Sequence, residues 1–300
     1  MREKNKILVI LGPTATGKSD LAVKLAKKYN GEVISADSRQ IYKGLNIGTG
    51  KITKKEMAGI PHHMLDVTSP KKTFTVVGWK EQTEKIIKDI LSRGKLPIIC
   101  GGTGFYIQSI VENVILPEVL PNKPLRKKLE KNTLEDLQKI LAKLDPRRFS
   151  NIDIKNRVRL IRAIEIATAI GKVPTPRRAQ GKNPYKFLQI GLTLGDNKLK
   201  TKIHNRLLSR IKVGMLKEAE NLHRNGLTWK RMEELGLEYR YQAFLLQKKI
   251  SKTEFEQRLE TEIWHYAKRQ KTWFKRDGRI KWFNLRKKNE IQKEIKRFID

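Results

Sequence analysis

Two patterns of hydrophobic and polar residues alternate along the first hundred positions. Short apolar runs at Ile7–Leu11, Glu32–Ser35 and Leu96–Cys100 predict buried strands. Between these runs, Asp20–Tyr29 and Trp79–Arg93 carry apolar residues at the spacing of an amphipathic helix. Strands that alternate with helices are typical of a parallel sheet flanked by helices, so the pattern predicts an α/β fold.

The pattern changes near Leu116, where prolines mark a connector and a long helical stretch follows. The strand-like run Phe187–Leu194 then indicates a return to the sheet. We therefore expect residues 1–121 and 185–300 to form an α/β core with a helical C-terminal part, and residues 122–184 to form a helical insertion domain.

Local signals define the remaining elements. Ser251 and Glu254 have the spacing of a capping box, which predicts the start of a long helix. The glycine-rich, irregular segment Ile41–Pro61 predicts a mobile cover. Further helices are predicted at 133–144, 155–170, 198–210, 213–225, 251–275 and 289–299, and an edge strand at 281–283.

The clearest chemical signal is Gly12–Ser19, which fits the spacing G-x-x-x-x-G-K-[ST] between the first strand and the first helix. Glycines let successive backbone N–H groups surround an anion, and the start of the helix adds partial positive charge. Lys18 would place its charge on a phosphate, and the Ser19 hydroxyl could ligate Mg²⁺. The motif therefore predicts a polyphosphate site in a P-loop NTPase-like fold, without saying which polyphosphate.

Asp37 and Thr103 follow two other strands and are expected in the same crevice, because parallel strands end at one edge of a sheet. In a kinase, Asp37 would hold Mg²⁺ or an acceptor hydroxyl; in a transferase that releases diphosphate, it would accept a proton from the nucleophile. A turn-capping role for Asp37 and a local backbone hydrogen bond for Thr103 are the alternatives. Arg206 and Arg210, one helical turn apart, either reach a phosphate in the crevice or are solvated.

The charge of the chain points to its partners. There are 65 Lys and Arg residues against 31 Asp and Glu, a net charge of +34. Such a field favours a nucleic-acid partner, and a lysine-rich proteome is the alternative source of part of the excess. The single cysteine, Cys100, excludes an internal disulfide. With no apolar window of about 18 residues and no signal-peptide pattern, we expect a cytoplasmic protein without a membrane span.

Seven stretches of this sequence occur in the order found in one enzyme family. They are GPTATGKS at 12–19, SADSRQIY at 35–42, GTGK at 48–51, PHHMLD at 61–66, GGTGFY at 101–106, the segment 157–165 and AKRQKTWF at 267–274. The chain thus resembles the bacterial tRNA dimethylallyltransferases, the isopentenyltransferases that modify the adenosine 3′ of the anticodon. The resemblance spans about residues 6–285, and the stretch 234–240 departs from some relatives.

The resemblance implies transfer of a dimethylallyl group from dimethylallyl diphosphate to N6 of that adenosine, with release of diphosphate. The implied partners are dimethylallyl diphosphate and the anticodon stem-loop of tRNA, the implied cofactor is Mg²⁺ at Ser19, and a monomer is expected. Asp37 would take the proton of the N6 amine and Thr103 would anchor the reacting groups. The implied diphosphate-binding residues are Gly12, Pro13, Thr14, Ala15, Thr16, Gly17, Lys18 and Ser19, with Arg206 or Arg210.

The resemblance also implies a set of tRNA-binding residues near the crevice and in the insertion. They are Asp37, Ser38, Arg39, Gln40, Arg126, Val158, Arg159, Leu160, Ile161 and Arg162. Three rival functions are open: a P-loop kinase of a nucleoside or other small metabolite, an isopentenyltransferase acting on free adenine nucleotides, and a nucleic-acid-binding module with a phosphate-loop switch. The first leaves the basic C-terminal helix unexplained, and the second has no need of the insertion.

Overall fold

A computed structural model describes residues 5–174, 177–178 and 183–300 of the chain. The predicted linker residues 175, 176 and 179–182 lie outside this part. The described residues form eight strands: β1 (Lys6–Leu11), β2 (Gly31–Ala36), β3 (His62–His63), β4 (Leu96–Gly101), β5 (Val114–Ile115), β6 (Arg177–Arg178), β7 (Lys186–Leu192) and β8 (Lys281–Phe283).

The same residues form fourteen helices, which account for most of the chain beyond residue 122. They are α1 (Lys18–Lys28), α2 (Lys54–Met57), α3 (Val76–Ser92), α4 (Gly104–Val111), α5 (Lys123–Leu129), α6 (Leu134–Leu144), α7 (Pro146–Ser150), α8 (Arg157–Ile170), α9 (Asp196–Lys212), α10 (Met215–Arg224), α11 (Trp229–Leu235), α12 (Leu237–Leu246), α13 (Lys252–Phe274) and α14 (Lys288–Ile299).

Six strands form one parallel sheet in the order β3-β2-β4-β1-β7-β8. This arrangement confirms the predicted α/β fold. In the sheet register, Leu11 lies beside Gly101, and Gly101 lies beside Ala36. The segments that follow β1, β2 and β4 therefore start side by side, at one edge of the sheet.

Alternate residues of the central strands point to opposite faces, and a hydrophobic core covers each face. Ile7 and Val9 pack into one core with Trp79 of α3, whereas Leu8 and Ile10 pack into the other with the residues of α1 and α14. Side chains of a strand alternate between faces, so a strand covered on both sides is a continuous apolar run, as the sequence predicted for β1.

By its internal contacts the chain divides into two compact units, residues 1–112 with 182–300, and residues 113–181. The second unit has its own hydrophobic core, which includes Leu137, Leu141 and Leu160. The division falls after Glu112 and before Lys182, so the second unit starts earlier than the expected boundary after residue 121 because it includes the short strand β5. We call residues 113–181 the insertion unit and the rest the core unit.

Most predicted elements have the expected type. The predicted capping box of Ser251 with Glu254 is formed at the start of α13, and Thr133 with Asp136 forms another at the start of α6. The pair His62–His63 was not predicted as a strand, yet it forms the edge strand β3 beside β2. Such a short strand has too few residues to show alternation. Within the described part of the chain, every helix is too short or too polar to cross a membrane.

The segment Ile41–Pro61 differs from the mobile cover that its glycines predicted. Ile41 and Leu45 are fully buried. Lys51 donates to the carbonyl of Tyr42 at 2.8 Å and to the carboxylate of Asp66 at 2.6 Å. The glycines permit tight turns within the core unit. The buried side chains and the bonds of Lys51 anchor the segment.

Candidate active site

The glycine loop between β1 and α1 has a backbone that only glycine adopts easily at two positions. Gly12 has φ 139°, and an added Cβ would lie 2.4 Å from the carbonyl oxygen of Leu192. Gly17 has φ 86° and caps the start of α1. Both values fall where L side chains are strained, so these glycines are required for the turn. The free N–H groups of the first turn of α1 follow directly.

Lys18 folds back over this loop. Its Nζ donates to the carbonyl of Pro13 at 2.6 Å, and the hydroxyl of Thr16 donates to the same oxygen at 2.9 Å. Burial lowers the pKa of Lys18 to about 8, and the positive charge of Arg206 contributes in the same direction. The lowered pKa means that the charged ammonium is poorly stabilised by the protein itself, which favours a bound anion beside it.

The loop opens on a cavity of about 380 Å³. Its walls come from the ends of β1, β2 and β4, from the segment before α2, and from α9 and α13. The lining residues are Thr14, Ala15, Gly17, Lys18, Ser19, Asp20, Asp37, Gln40, Thr49, Gly50, Ile52, Glu56, Cys100, Gly101, Gly102, Lys202, Arg206, Tyr266 and Gln270. The predicted convergence of three strand ends on one crevice is thus present, and α9 and α13 complete it.

Asp37 follows β2 and lines this cavity. One carboxylate oxygen accepts from the backbone N–H of Arg39 at 2.8 Å and from that of Gln40 at 3.2 Å. These bonds are the turn-capping role that the sequence left as an alternative, and they hold the carboxylate at the cavity wall. Capping the turn and facing the crevice are therefore compatible in this structure.

Thr103 adjoins the cavity wall through its hydrogen-bond partners. It precedes α4, its Oγ1 accepts from the N–H of Ser38 at 3.0 Å, and its side chain also bonds with Tyr266. Thr103 is not among the residues that line the cavity. It connects the turn of Asp37 to Tyr266, whose pKa is raised chiefly by burial.

The two arginines of α9 have different surroundings. Arg206 lines the cavity and donates to Thr14 Oγ1 and to the carbonyl of Gly50, both at 3.3 Å. Arg210 donates to the carboxylate of Glu238 and to the carbonyl of Gly48, both at 3.2 Å. Burial lowers the pKa of Arg206 to about 10, with Arg210 as the next cause. Of the two, Arg206 is the one placed to meet a ligand in the cavity.

Gln270 is a site residue that sequence reasoning missed. Its Oε1 accepts from the N–H of Thr14 at 2.8 Å, and its Nε2 donates to the carbonyl of Gly102 at 2.9 Å. One buried amide on α13 thus joins the glycine loop to the end of β4. The sequence signal for Gln270 was a polar residue on the buried face of a long helix. Many such residues only form hydrogen bonds within a protein core, so the signal did not identify a site.

The other crevice residues implied by the resemblance bind the protein itself. Arg39 donates through Nε to the carbonyl of Leu235 at 2.5 Å, and Gln40 donates to the carbonyl of Gly50 at 3.3 Å. Gln40 also lines the cavity. Ser38 contributes its N–H to Thr103. This turn is therefore fixed in place before any substrate arrives.

In the insertion unit, α8 presents only part of the implied tRNA-binding segment. Val158 is 77% exposed, and Arg159 is exposed with an ion pair to Asp153 at 3.6 Å. Leu160 and Ile161 belong to the buried core of this unit. Their side chains point inward while those of Val158 and Arg159 point outward, because a helix that packs on one face turns successive residues in different directions. Contact of this segment with tRNA stays a prediction.

Arg126 and Arg162 surround one buried carboxylate. Arg126 donates to both oxygens of Glu165, at 2.9 and 2.8 Å, Arg162 pairs with the same group, and the N–H of Asn122 donates to it at 2.5 Å. Burial raises the pKa of Glu165, but these bonds outweigh it and lower the value to about 2. Arg126 therefore holds α5 to α8, whereas Arg162, on α8 itself, also donates to the carbonyl of Val119 at 2.8 Å.

The aromatic residues of α13 serve packing as well as charge. Phe274 is buried, and Trp273 lies so close to Gly104 that an added Cβ would be 2.1 Å from its ring. The ring of Trp264 lies 5.1 Å from Lys200 Nζ and 5.7 Å from Lys268 Nζ. The basic and aromatic mixture therefore reflects helix packing on one side and cation–π contacts on the other.

Comparisons with known proteins agree with this geometry. Residues 40–277 match the sequence model of the IPP transferase family. The chain is 42% identical over 279 residues to tRNA dimethylallyltransferase 2 of Treponema denticola, covering 92% of this chain and 93% of that protein. It is 40% identical over 277 residues to tRNA dimethylallyltransferase 1 of Syntrophus aciditrophicus, covering 90% and 89%.

Solved structures give the same answer for the fold. The full-length tRNA isopentenylpyrophosphate transferase of Bacillus halodurans aligns with TM-score 0.75 and 33% identity, over 98% of this chain and 97% of that one. A eukaryotic dimethylallyltransferase acting on tRNA aligns with TM-score 0.77 and 26% identity, over 93% and 74%. The chain belongs to the IPP transferase family.

Proposed function

We propose that this chain transfers the dimethylallyl group of dimethylallyl diphosphate to N6 of the adenosine 3′ of the anticodon in tRNA. The observation that carries the proposal is one cavity with three features: the glycine loop with Lys18, the cation Arg206, and the carboxylate of Asp37. Anion-binding groups and a proton acceptor lie together there, as this reaction requires. Two related proteins are named tRNA dimethylallyltransferases, which supports the same activity.

The diphosphate would be held by Gly12–Ser19, Lys18 and Arg206. In the described ion pairs, neither Lys18 nor Arg206 has a carboxylate partner, and both have a pKa lowered by burial. A diphosphate between them would restore the charge balance that the protein leaves open. The same groups then stabilise the leaving group, on which negative charge develops.

The residues present also suit Mg²⁺. Ser19 is exposed at the start of α1 and lines the cavity, and Asp20 and Asp37 line it too. Mg²⁺ prefers oxygen ligands and commonly takes only one or two from the protein, with phosphates and water supplying the others. Ser19 would hold the ion beside the diphosphate, where its charge would favour departure of that group.

The reaction balances with the groups in the cavity. The C1–O bond of the prenyl diphosphate breaks, and its electron pair leaves with the diphosphate. A bond forms between C1 and N6 of the adenine, and N6 loses a proton to the carboxylate of Asp37. The target base is stacked in the anticodon loop, so it must turn out of the loop to enter the cavity.

The insertion unit is proposed to bind the anticodon stem-loop. Val158 and Arg159 expose their side chains on α8, and the unit carries many lysines and arginines. Arg126 and Arg162 would act indirectly, by holding α8 in place through Glu165. Phosphate contacts by exposed basic side chains suit a stem-loop recognised largely by shape. We also propose that the enzyme is a monomer and, because its proposed substrate is tRNA, that it is located in the cytoplasm.

The test is a mass analysis of nucleosides after incubation with dimethylallyl diphosphate and Mg²⁺. One substrate is an unmodified anticodon stem-loop RNA with adenosine 3′ of the anticodon, and the matched control RNA has guanosine there. We expect N6-isopentenyladenosine only from the first RNA. Transfer to AMP but not to RNA would instead identify an adenylate isopentenyltransferase, and phosphate transfer from ATP to a nucleoside would identify a kinase.

A further inference from the structure

A carboxylate outside the cavity is bound by three successive backbone N–H groups of the segment Asn46–Gly50. Glu218, on α10, accepts through Oε2 from Asn46 at 3.0 Å and Ile47 at 2.7 Å, and through Oε1 from Gly48 at 3.0 Å. The hydroxyl of Tyr239 donates to Oε1 at 2.8 Å. Four donors converge on one ionised group, an arrangement that fixes the backbone it binds.

The carbonyl groups of the same segment receive the two arginines of α9. Gly48 accepts from Arg210 at 3.2 Å, and Gly50 accepts from Arg206 at 3.3 Å. An added Cβ on Gly50 would lie 1.8 Å from Nη2 of Arg210 and 2.3 Å from Nη2 of Arg206. Both guanidinium groups therefore contact the backbone of the segment Asn46–Gly50, and Glu218 binds the N–H groups of the same segment.

Arg206 depends on this support more than Arg210 does. Arg210 has the carboxylate of Glu238 as an ion-pair partner. Arg206 is bound only by the Thr14 hydroxyl and the Gly50 carbonyl among its described contacts, and the like charge of Arg210 lies beside it. If the segment shifted, Arg206 would lose one of two neutral acceptors, and repulsion would displace it from the cavity wall.

We propose that Glu218 is a positioning residue for binding of the diphosphate. It acts through the segment Asn46–Gly50, whose last carbonyl orients Arg206 toward the ligand. The inference rests on the proposed function, because it assigns a second layer of support to the same diphosphate site. It predicts that Glu218 governs affinity for the diphosphate substrate, although its carboxylate is not in the cavity.

The test compares Glu218→Gln with Glu220→Gln, a matched change two residues along α10 at an exposed carboxylate. In Glu218→Gln, an NH₂ group replaces one carboxylate oxygen. This hydrogen-bond donor would then face the backbone N–H groups that the oxygen accepted from. We expect Kd for inorganic diphosphate with Mg²⁺, measured by calorimetry, and KM for dimethylallyl diphosphate to rise about tenfold. kcat at saturating substrate and Kd for tRNA should stay within about twofold, and Glu220→Gln should resemble the unchanged protein.

A double-mutant comparison separates positioning from general loosening of the fold. If Glu218 acts through Arg206, the addition of Glu218→Gln to Arg206→Gln should change Kd for diphosphate by less than about twofold. A further tenfold loss in that background would overturn the proposal. Should Glu218→Gln fail to fold, Tyr239→Phe removes one of the four donors and should weaken diphosphate binding about two- to threefold; unchanged binding would also overturn it.

The outcomes distinguish this inference from the proposed function. If the unchanged protein binds diphosphate but transfers nothing to RNA, the proposed reaction fails, and the effect of Glu218→Gln on diphosphate affinity still decides the inference. If transfer occurs and Glu218→Gln leaves diphosphate affinity intact, only the inference fails. If the unchanged protein does not bind diphosphate, both fail.

Discussion

Two clusters of charged residues, one in each unit, show how the same residue types serve different ends. In the insertion unit, Arg126 and Arg162 both pair with Glu165. In the core unit, Arg206 and Lys18 lie at the cavity with neutral acceptors only, among the described contacts. The first cluster is neutralised within the fold, whereas the second would be neutralised by the proposed diphosphate.

The difference appears in the direction of the pKa values. Hydrogen bonds lower the pKa of Glu165 to about 2, against the effect of its burial, so its charge is stabilised by the fold. Burial lowers the pKa of Lys18 to about 8 and that of Arg206 to about 10, so the fold does not stabilise their charges in the same way. This contrast supports the proposal that Lys18 and Arg206 bind the diphosphate, whereas Arg126 and Arg162 stabilise the insertion unit.

The largest expected effect is on turnover, from substitution of Asp37, whose carboxylate has no arginine partner in the described ion pairs. Among the described hydrogen bonds, Asp37 accepts only from the N–H groups of Arg39 and Gln40. Asp37→Asn keeps an acceptor for both bonds but removes the proton acceptor, so we expect turnover to fall by about 10²–10⁴. Kd for tRNA and the melting temperature should change little. Rates are measured by single-turnover transfer of a labelled dimethylallyl group.

The companion variant Asp37→Ala loses the turn bonds as well as the base. It should match Asp37→Asn in turnover and fall below it in melting temperature. If Asp37→Asn keeps normal turnover while Asp37→Ala does not, Asp37 serves only the turn, and the crevice would lose its proposed base.

Next in size is the loss of the Lys18 charge. Lys18→Met keeps a flexible chain of similar length without the ammonium, so kcat/KM for dimethylallyl diphosphate should fall by about 10²–10³. Lys202, which also lines the cavity but outside the glycine loop, offers Lys202→Met as a comparison with a smaller expected loss. Equal losses at both positions would mean that Lys18 contributes only general positive charge.

The same lysine predicts a pH dependence. An ammonium is charged below its pKa, and burial lowers the pKa of Lys18 from 10.5 to about 8. In the unchanged enzyme, kcat/KM for dimethylallyl diphosphate should therefore decrease as pH rises through about 8. A bound diphosphate favours the charged form, so kcat should hold to higher pH. Lys18→Met should lack the decrease near pH 8; if the decrease persists, another group causes it.

A smaller effect is expected where the backbone supports Arg206. In Gly50→Ala, the new methyl group would collide with two guanidinium groups, so KM for dimethylallyl diphosphate should rise about tenfold. Gly59 is a matched control, because its φ of 79° is also left-handed and nothing lies within 4 Å of an added Cβ. Gly59→Ala should cost about 1 kcal/mol of stability without a change in KM. Similar KM values for both variants would contradict the role of Gly50.

Much of the crevice could be predicted from sequence because its parts are local. The loop Gly12–Ser19 carries its own spacing, and Asp37 stands directly after a strand that periodicity identifies. Parallel strands end at one edge, so their convergence followed from fold class alone. The same reasoning gave the order of β1, α1 and β2 and the start of α13.

The rest depends on contacts between residues distant in sequence. Gln270 joins Thr14 across 256 positions, and no local pattern distinguishes it from other buried amides. The choice between Arg206 and Arg210 required the position of Glu238, which α12 supplies. Likewise, the sequence did not show which side chains of α8 are buried, and the packing of this helix places Leu160 in a core. Charge and sequence motifs thus identify candidate site residues. The burial and the hydrogen-bond partners of each side chain then decide among them.

The smallest effect on catalysis is expected from the paired cluster of the insertion unit. Glu165→Gln leaves Arg126 and Arg162 with a neutral partner, so the unit should lose about 1–3 kcal/mol of stability while kcat is unchanged. Faster amide hydrogen exchange in α8 would report the loss, and Glu118→Gln, at an exposed position of the same unit, is the control. Because the folded-state pKa of Glu165 lies below its ordinary 4.5, its stabilisation is complete above that pH and is lost as pH falls toward about 2. Glu165→Gln should remove this acid sensitivity from α8, whereas a fall in kcat at saturating tRNA would mean that the two clusters do not differ in the way proposed.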